Sequence, residues 1–357
     1  MKNVLILGGT GAIGRKLVDF ISVNPEIECV VTSRRVQNNK GNIKYIQGNA
    51  HNCDFVFSLL DKKWDAIIDF MAYTTVELKE RINRFLSATD QYIFISSARV
   101  YAESEGLIKE DSPRLLDRCE DSTYLSTDEY ALAKAREENI IISNSEQNNY
   151  TIIRPYITFS ENRFQLGVME KEQWLYRALR GKSIIFSRDI AEKTTTLTYG
   201  GDVAKGIYGL ICNTSALGRI YHITTNETHT WETILQLYLK ALEEHLGKKI
   251  NVVYTEKWQP YQGGSEYQVK YDRLYNRRFD NSNIMNDVSQ MSFSRLEYSI
   301  NKAIAEMIHH PSFGSIDFNR EAMKDRLTGE WTNIFVIPGV RTKLKYLLIR
   351  MGLKAYR

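Results

Sequence analysis

Tyr130 and Lys134 stand four apart in Tyr130-Ala131-Leu132-Ala133-Lys134, and the run continues through Ala135, Glu138 and Ile141 at helical spacing. The phenol and the ammonium therefore share one helix face. An ammonium beside a phenol favours the phenolate and draws the group down from about 10 toward a range in which it exchanges a proton near neutrality. Ser97, just after the strand-like Tyr92-Ile93-Phe94-Ile95, can donate to the same substrate oxygen. A carbinol held by Ser97 and Tyr130, with its C–H turned toward a hydride acceptor, is arranged for oxidation, and the reverse arrangement reduces a ketone. Alone, a Tyr and Lys at this spacing describe a surface helix pair. After a phosphate-binding turn and a strand-end serine they read as a proton-transfer pair.

That turn is at the start of the chain. The apolar run Val4-Leu5-Ile6-Leu7 is followed by Gly8-Gly9-Thr10-Gly11-Ala12-Ile13-Gly14 and then by Leu17, Phe20 and Ile21 at helical spacing. A strand, a glycine turn and a helix in this order leave amide N–H groups facing a phosphate, and the expected occupant is a dinucleotide pyrophosphate. Gly8 is expected to turn the chain, Gly11 to let the backbone approach the phosphates, and Gly14 to let the helix pack closely on the sheet. A second strand, Glu28 to Thr32, leads to Ser33-Arg34-Arg35 with no acid at its tip, which favours a ribose 2'-phosphate, and so NADP over NAD. Position alone assigns Gly48-Asn49-Ala50 to the adenine and Phe70-Met71-Ala72 to the ribose or nicotinamide.

The elements that must hold these residues alternate. Ile43–Ile46, Asp65–Phe70 and Tyr92–Ile95 read as strands, and Asp54–Leu60 and Val76–Leu86 as helices. This predicts an α/β fold with a doubly wound parallel (Rossmann) sheet and ligands beyond the carboxyl ends of its strands. A chain of 357 residues exceeds one ordinary domain, and a smaller α/β substrate domain is expected beside the first. The composition, 43% hydrophobic and 25% charged with a net charge of +4, is that of a folded protein and gives no reason to expect nucleic acid. Cys29, Cys53, Cys119 and Cys212 fit neither a disulfide scaffold nor metal spacing, and the histidines are scattered, so no metal is expected. With no signal peptide and no run of about 18 apolar residues, the expectation is a cytoplasmic protein.

With these residues in place, the chain resembles the extended short-chain dehydrogenase/reductase family of NAD(P)-dependent sugar-nucleotide epimerases, dehydratases and reductases. Gly8, Gly11 and Gly14 match its glycine motif, Ser97 its catalytic serine, and Tyr130 and Lys134 its tyrosine–lysine pair. Thr151-Ile152-Ile153-Arg154-Pro155 looks like the strand before the nicotinamide contacts, which brings Pro155 to the cofactor. Leu197 to Ala204 and Gly218 to Ile223 look like later elements of its first domain. The resemblance implies an NAD or NADP cofactor, a nucleotide-linked sugar as partner, Tyr130 as acid/base, Lys134 as its activator and Ser97 as orienting donor. It is compatible with a homodimer. The family's 4,6-dehydratases carry a Thr-Asp-Glu triplet where this chain has Ser97-Ala98-Arg99, so dehydration is disfavoured. Thr127-Asp128-Glu129 falls at a helix start, where such residues are ordinary caps. A keto-sugar reductase is the preferred reading, with a 4-epimerase and a non-enzymatic nucleotide-sensing or RNA-binding protein as alternatives.

The expected division is 1–165 with 198–225 as the dinucleotide domain, 166–197 with 226–310 as the substrate domain, and 311–357 as a C-terminal extension. Trp174, Trp231, Trp258 and Tyr261 can stack on a base or pack in a core. Arg273, Arg277 and Arg278 can meet a diphosphate or form structural ion pairs. From Val340 onward Arg341, Lys343, Lys345, Arg350, Lys354 and Arg357 are basic and no acid intervenes, while Leu344, Leu347, Leu348 and Met351 recur at helical spacing. Such a helix lies on an anionic membrane surface or, as the preferred expectation here, buries Leu344, Leu347 and Leu348 against its own domain.

Overall fold

The computed structural model describes residues 1–354. They form two compact units, the first made of Met1–Ser160, Thr196–Glu227 and Arg277–Ser294. Its strands are β1 (Lys2–Leu7), β2 (Ile27–Ser33), β3 (Ile43–Gln47), β4 (Ala66–Asp69), β5 (Tyr92–Ile95), β6 (Tyr150–Pro155) and β7 (Arg219–Ile223). They make one sheet in the order β7-β6-β5-β4-β1-β2-β3, with every neighbouring pair parallel. The principal helices are α1 (Ala12–Ser22), α2 (Cys53–Leu59), α3 (Thr75–Ser87), α4 (Tyr130–Asn144) and α5 (Gly200–Leu210).

Strand alternation builds both layers of the core. Val4 and Ile6 pack with Leu17 and Ile21 of α1 and Val203 and Ile207 of α5. Leu5 and Leu7 face the other way, onto Val56 of α2, Ile82 and Phe85 of α3 and Ile141 of α4. Strand order reverses between β1 and β4, which opens the crevice beyond their carboxyl ends to a ligand.

Residues 277–294, expected in the substrate domain, belong to this first unit. Phe279 forms a parallel bridge to Ile108, the fully buried Arg277 guanidinium donates to the carbonyls of Tyr101 and Ala102 at 2.9 Å each, and Ser294 donates through N and Oγ to Asp202.

The second unit comprises Glu161–Thr195, Thr228–Asn276 and the chain from Arg295 on. It is α/β: Ile184–Ser187 pairs in parallel with Val252–Thr255, beside α6 (Trp231–Leu246) and α7 (Leu296–His309). Trp174 and Trp231 are fully buried here and serve as core, with the Trp174 and Tyr238 ring centroids 4.7 Å apart and the rings tilted by 42°. Arg273 is buried too, donating to Gly167 O at 2.8 Å and paired with Asp272, so it is a structural cation.

The stretch after 311 is not an appendage. It contains α8 (Phe318–Thr328) and α9 (Val340–Arg350), whose core is Phe318, Ala322, Ile337, Tyr346 and Ile349. It also supplies Glu321, Asp325 and Glu330 to the buried Arg177, at 2.7 to 2.8 Å. The preferred expectation for α9 fails at Leu344, which is exposed, while Leu347 and Leu348 are only half-buried; Tyr346 and Ile349 form the inner face. Arg357 lies outside the described residues. Among the described residues no helix is long and apolar enough to cross a membrane.

Candidate active site

The glycine turn follows β1. Gly8 has φ +71°, a left-handed conformation that suits glycine, and its N–H donates to Thr32 Oγ1 at 3.0 Å, fastening the turn to β2. A Cβ at Gly14 would lie 2.6 Å from Gly9 O, so the close approach that requires glycine there is to the turn itself rather than to the sheet. Gly11 caps α1 with extended backbone, and a Cβ on it would meet nothing within 4 Å. The space ahead of α1 is therefore open. With no acid in its first turn, the helix offers unpaired N–H groups and a positive dipole end to an anion. Thr10, Ala12 and Ile13 are half-buried around this opening.

The other expected cofactor contacts lie beyond neighbouring strand ends. Arg34 and Arg35 follow β2 and are exposed. Phe70-Met71-Ala72 follows β4 and is fixed by Asp69, whose buried carboxylate accepts from Met71 N at 2.9 Å and from Tyr92 Oη at 2.8 Å. Burial raises the Asp69 pKa. Asn49 is exposed, its side chain accepting from His51 N at 3.2 Å, whereas Ala50 is buried in the apolar layer beneath α2 and α3. Pro155 ends β6 and is half-buried.

Ser97 follows β5 and caps the short turn Ala98–Val100, accepting from Arg99 N at 3.2 Å. It is 7% exposed. Helix α4 packs on this turn and begins at Tyr130, which is 43% exposed. The cap of α4 is Glu129, accepting from Ala131 N at 2.8 Å, rather than Thr127 or Asp128. Thr127 donates to Tyr124 O at 2.7 Å, and Asp128 accepts from Thr75 at 2.7 Å and Arg136 at 3.0 Å, so the triplet holds structure.

Three features here escaped the sequence reading. Arg99, which pairs with Glu129 at 2.7 Å, lies over the Tyr130 ring at 5.3 Å from its centroid, so a guanidinium faces the phenol. The buried Lys134 ammonium sits 4.4 Å from the Phe94 ring centroid and 2.9 Å from the buried carboxylate of Glu137, one turn along α4. The pair is close but not aligned for a hydrogen bond, leaving Lys134 Nζ and both Glu137 oxygens without aligned partners among the described residues. Burial pushes the Glu137 carboxyl up to about 7, against the pull of Lys134. Finally, Glu138 accepts from Ser96 Oγ at 2.6 Å and from Arg154 Nε and Nη2 at 2.8 and 2.7 Å, with Arg114 at 3.3 Å. These buried bonds lock α4 to β5 and β6, and thereby fix Tyr130 and Lys134 relative to Ser97. Among the described residues no cluster of His, Cys, Asp or Glu is placed to hold a metal ion.

The strand ends thus carry an open helix N-terminus after β1 and a hydroxyl after β5, with a phenol and an ammonium on the adjoining α4, residue types suited to proton transfer beside a dinucleotide. Residues 4–224, more than half of the chain, match the model of the NAD dependent epimerase/dehydratase family. The fold resembles dTDP-glucose 4,6-dehydratase of Bacillus anthracis, solved with NAD, with a TM-score of 0.66 and 15% identity over 87% of this chain and 97% of that one. It also resembles UDP-glucuronic acid 4-epimerase of Bacillus cereus, solved with NAD, with a TM-score of 0.65 and 15% identity over 88% of this chain and 99% of that one. The chloroplast stem-loop binding protein of 41 kDa b of Arabidopsis thaliana is 24% identical over 255 residues, 67% of this chain. The match spans 63% of that relative's length. The family match includes the glycine turn, Ser97, Tyr130, Lys134 and Pro155, and the chain belongs to the NAD-dependent epimerase/dehydratase family.

Proposed function

We propose that the protein is an NAD(P)-dependent oxidoreductase acting on one carbinol or carbonyl of a nucleotide-linked sugar, with reduction of a keto-sugar as the preferred reaction and 4-epimerisation as the alternative. The observation that carries the reading is the clamp of α4 onto β5 and β6, which holds Tyr130 and Lys134 beside the strand end bearing Ser97. The first turn of α1 and the Gly8–Gly14 loop would hold the diphosphate, Phe70-Met71-Ala72 and Pro155 would line the path to the nicotinamide, and the unaligned Lys134 ammonium has donors to give a ribose hydroxyl. Bound there, the cofactor supplies or accepts hydride. Tyr130 gives its proton to the substrate oxygen during reduction and takes it back during oxidation, while Ser97 Oγ orients that oxygen. Ala98 and Arg99 stand where a dehydratase needs acids, which disfavours water loss. Arg34 and Arg35 favour NADPH, and with it consumption of external hydride. Relatives of this fold solved with NAD and UDP-glucuronic acid support the substrate class.

One observation favours a second reading, an RNA-binding protein of the same fold: the Arabidopsis relative is named for binding stem-loops. The two separate in one set of measurements. Wild-type protein with saturating cofactor is expected to melt higher with a nucleoside diphosphate sugar and to oxidise or reduce it, and Tyr130→Phe is expected to lose turnover while keeping cofactor affinity. Turnover retained in Tyr130→Phe sinks the mechanism. Stem-loop RNA binding, with no nucleotide sugar shifting the melt, hands the case to the second reading.

A further inference from the structure

Helix α9 is apolar on two opposite sides. Tyr346 and Ile349 close the core against α8, and Tyr346 is fixed further by donating to Asp325 at 2.8 Å and accepting from Thr332 N at 2.7 Å. On the outer side Val340, Leu344 and Met351 fall within about 40° of one line along the helix. All three are exposed, Val340 to 82%. The segment leading into the helix also exposes Trp331, Val336 and Phe335, the last to 86%, and Arg350 of α9 lies over the Trp331 ring, 4.4 Å from its centroid. At helical spacing Arg341 and Lys345 fall on one flank of the stripe and Lys343 and Arg350 on the other, Arg350 also donating to Glu330 O at 2.8 Å, and no acid occurs between Trp331 and Lys354.

We propose that this face docks on an anionic lipid bilayer, with α9 in the plane of the headgroups. An exposed aliphatic stripe between two rows of cations is what such a surface accepts: the aliphatics enter the acyl boundary, the lysine and arginine stems snorkel to the phosphates, and Trp331 and Phe335 sit at the interface. Charge complementarity selects this occupant over the others. A second copy meeting the face about a two-fold axis would bring like charges together. Nucleic acid would satisfy the cations and stack on Trp331 or Phe335, but it would leave the aliphatic stripe of Val340, Leu344 and Met351 in water. Burial of the inner face holds α9 in place, so the outer stripe is presented without unfolding. This surface is independent of the proposed chemistry.

The test is cosedimentation of the full chain with vesicles of phosphatidylcholine alone and of equal parts phosphatidylcholine and phosphatidylglycerol. The expected result is binding to the anionic vesicles only, weakened by salt. Replacing Arg341 and Lys345 by glutamate should weaken it by more than about fivefold per position, since each contributes one surface charge and gains an opposite one. The variant Phe335→Ser/Val340→Ser/Leu344→Ser, all at exposed positions, should lose binding while keeping its thermal midpoint. Wild-type protein that stays in the supernatant with anionic vesicles overturns the proposal. So does undiminished binding by the serine variant. Stem-loop RNA retained in a gel shift without vesicle binding, or a dimer abolished by Leu344→Ser without it, overturns it in favour of those partners. Should the serine variant not fold, the salt dependence and the composition dependence of the wild type still decide.

Discussion

Glu137 lies 2.9 Å from the buried Lys134 ammonium, a position that burial makes costly for its own charge. The glutamate sits in a low-dielectric site with Asp69 also close enough to oppose its ionisation, and only Lys134 favours the charge. Its carboxyl, ordinarily near 4.5, is held at about 7. The folded state therefore keeps a proton that the unfolded chain gives up at lower pH. The stability this confers is complete below about 4.5 and is lost as pH rises through about 7. Glu137→Gln cannot lose that proton. The gap in unfolding free energy between variant and wild type should thus move in the variant's favour by on the order of 3 kcal/mol from acid to above neutrality. Taking the difference removes the titrating groups that do not interact with Glu137, while Asp69 and Lys134 remain coupled to it. Denaturant melts of both across that range check it, and a gap that does not change with pH shows that folding leaves the Glu137 pKa where the unfolded chain has it.

At the scale of elements, the decisive contact is α4 on the sheet. Its residues were legible as a helix because Ala135, Glu138 and Ile141 continue the run from Tyr130 and Lys134 at helical spacing, which also made Tyr130 and Lys134 legible as a pair. The clamp was not. Glu138 meets Ser96, Arg114 and Arg154 at sequence separations of 42, 24 and 16, and nothing local in Arg136-Glu137-Glu138 distinguishes buried acids from a solvated face. The same limit hid Arg99 over Tyr130. Removing one partner of a buried ion pair strands the other: Glu138→Ala should cost about 3–5 kcal/mol because the buried Arg154 loses its carboxylate, while Arg114 keeps Asp117 at 2.8 Å. Glu138→Gln, which keeps hydrogen-bonding atoms, should cost less. Urea titrations measure both, and an alanine variant as stable as wild type would mean that α4 is held by packing alone.

For the whole molecule, the sheet was readable because strands of a parallel sheet are buried on both faces and announce themselves as short apolar runs, and the crossover rule then orders them. The limits of the units were not readable, because they are set by distant partners. Arg277 and Phe279 return to the first unit through carbonyls and a bridge near residue 101, and residues after 311 enter the second through charges. The second case carries a prediction. Arg177 is fully buried, and Glu321, Asp325 and Glu330 all pair with it; Lys182 pairs with Asp325 as well. A chain ending at Pro311 keeps Arg177 and Lys182 but none of these acids. An uncompensated buried cation costs about 3–5 kcal/mol, against a total of roughly 5–15 kcal/mol for a folded domain, and the same cut removes the core of Phe318, Ala322, Ile337, Tyr346 and Ile349. The shortened chain should therefore lose its second unit while the first, whose segments all precede residue 295, keeps its own core. Limited proteolysis read by mass spectrometry should cut within 161–195 and 228–276 and spare the sheet. A shortened chain that resists cleavage there and melts with the full-length protein would show that residues after 311 are an extension after all.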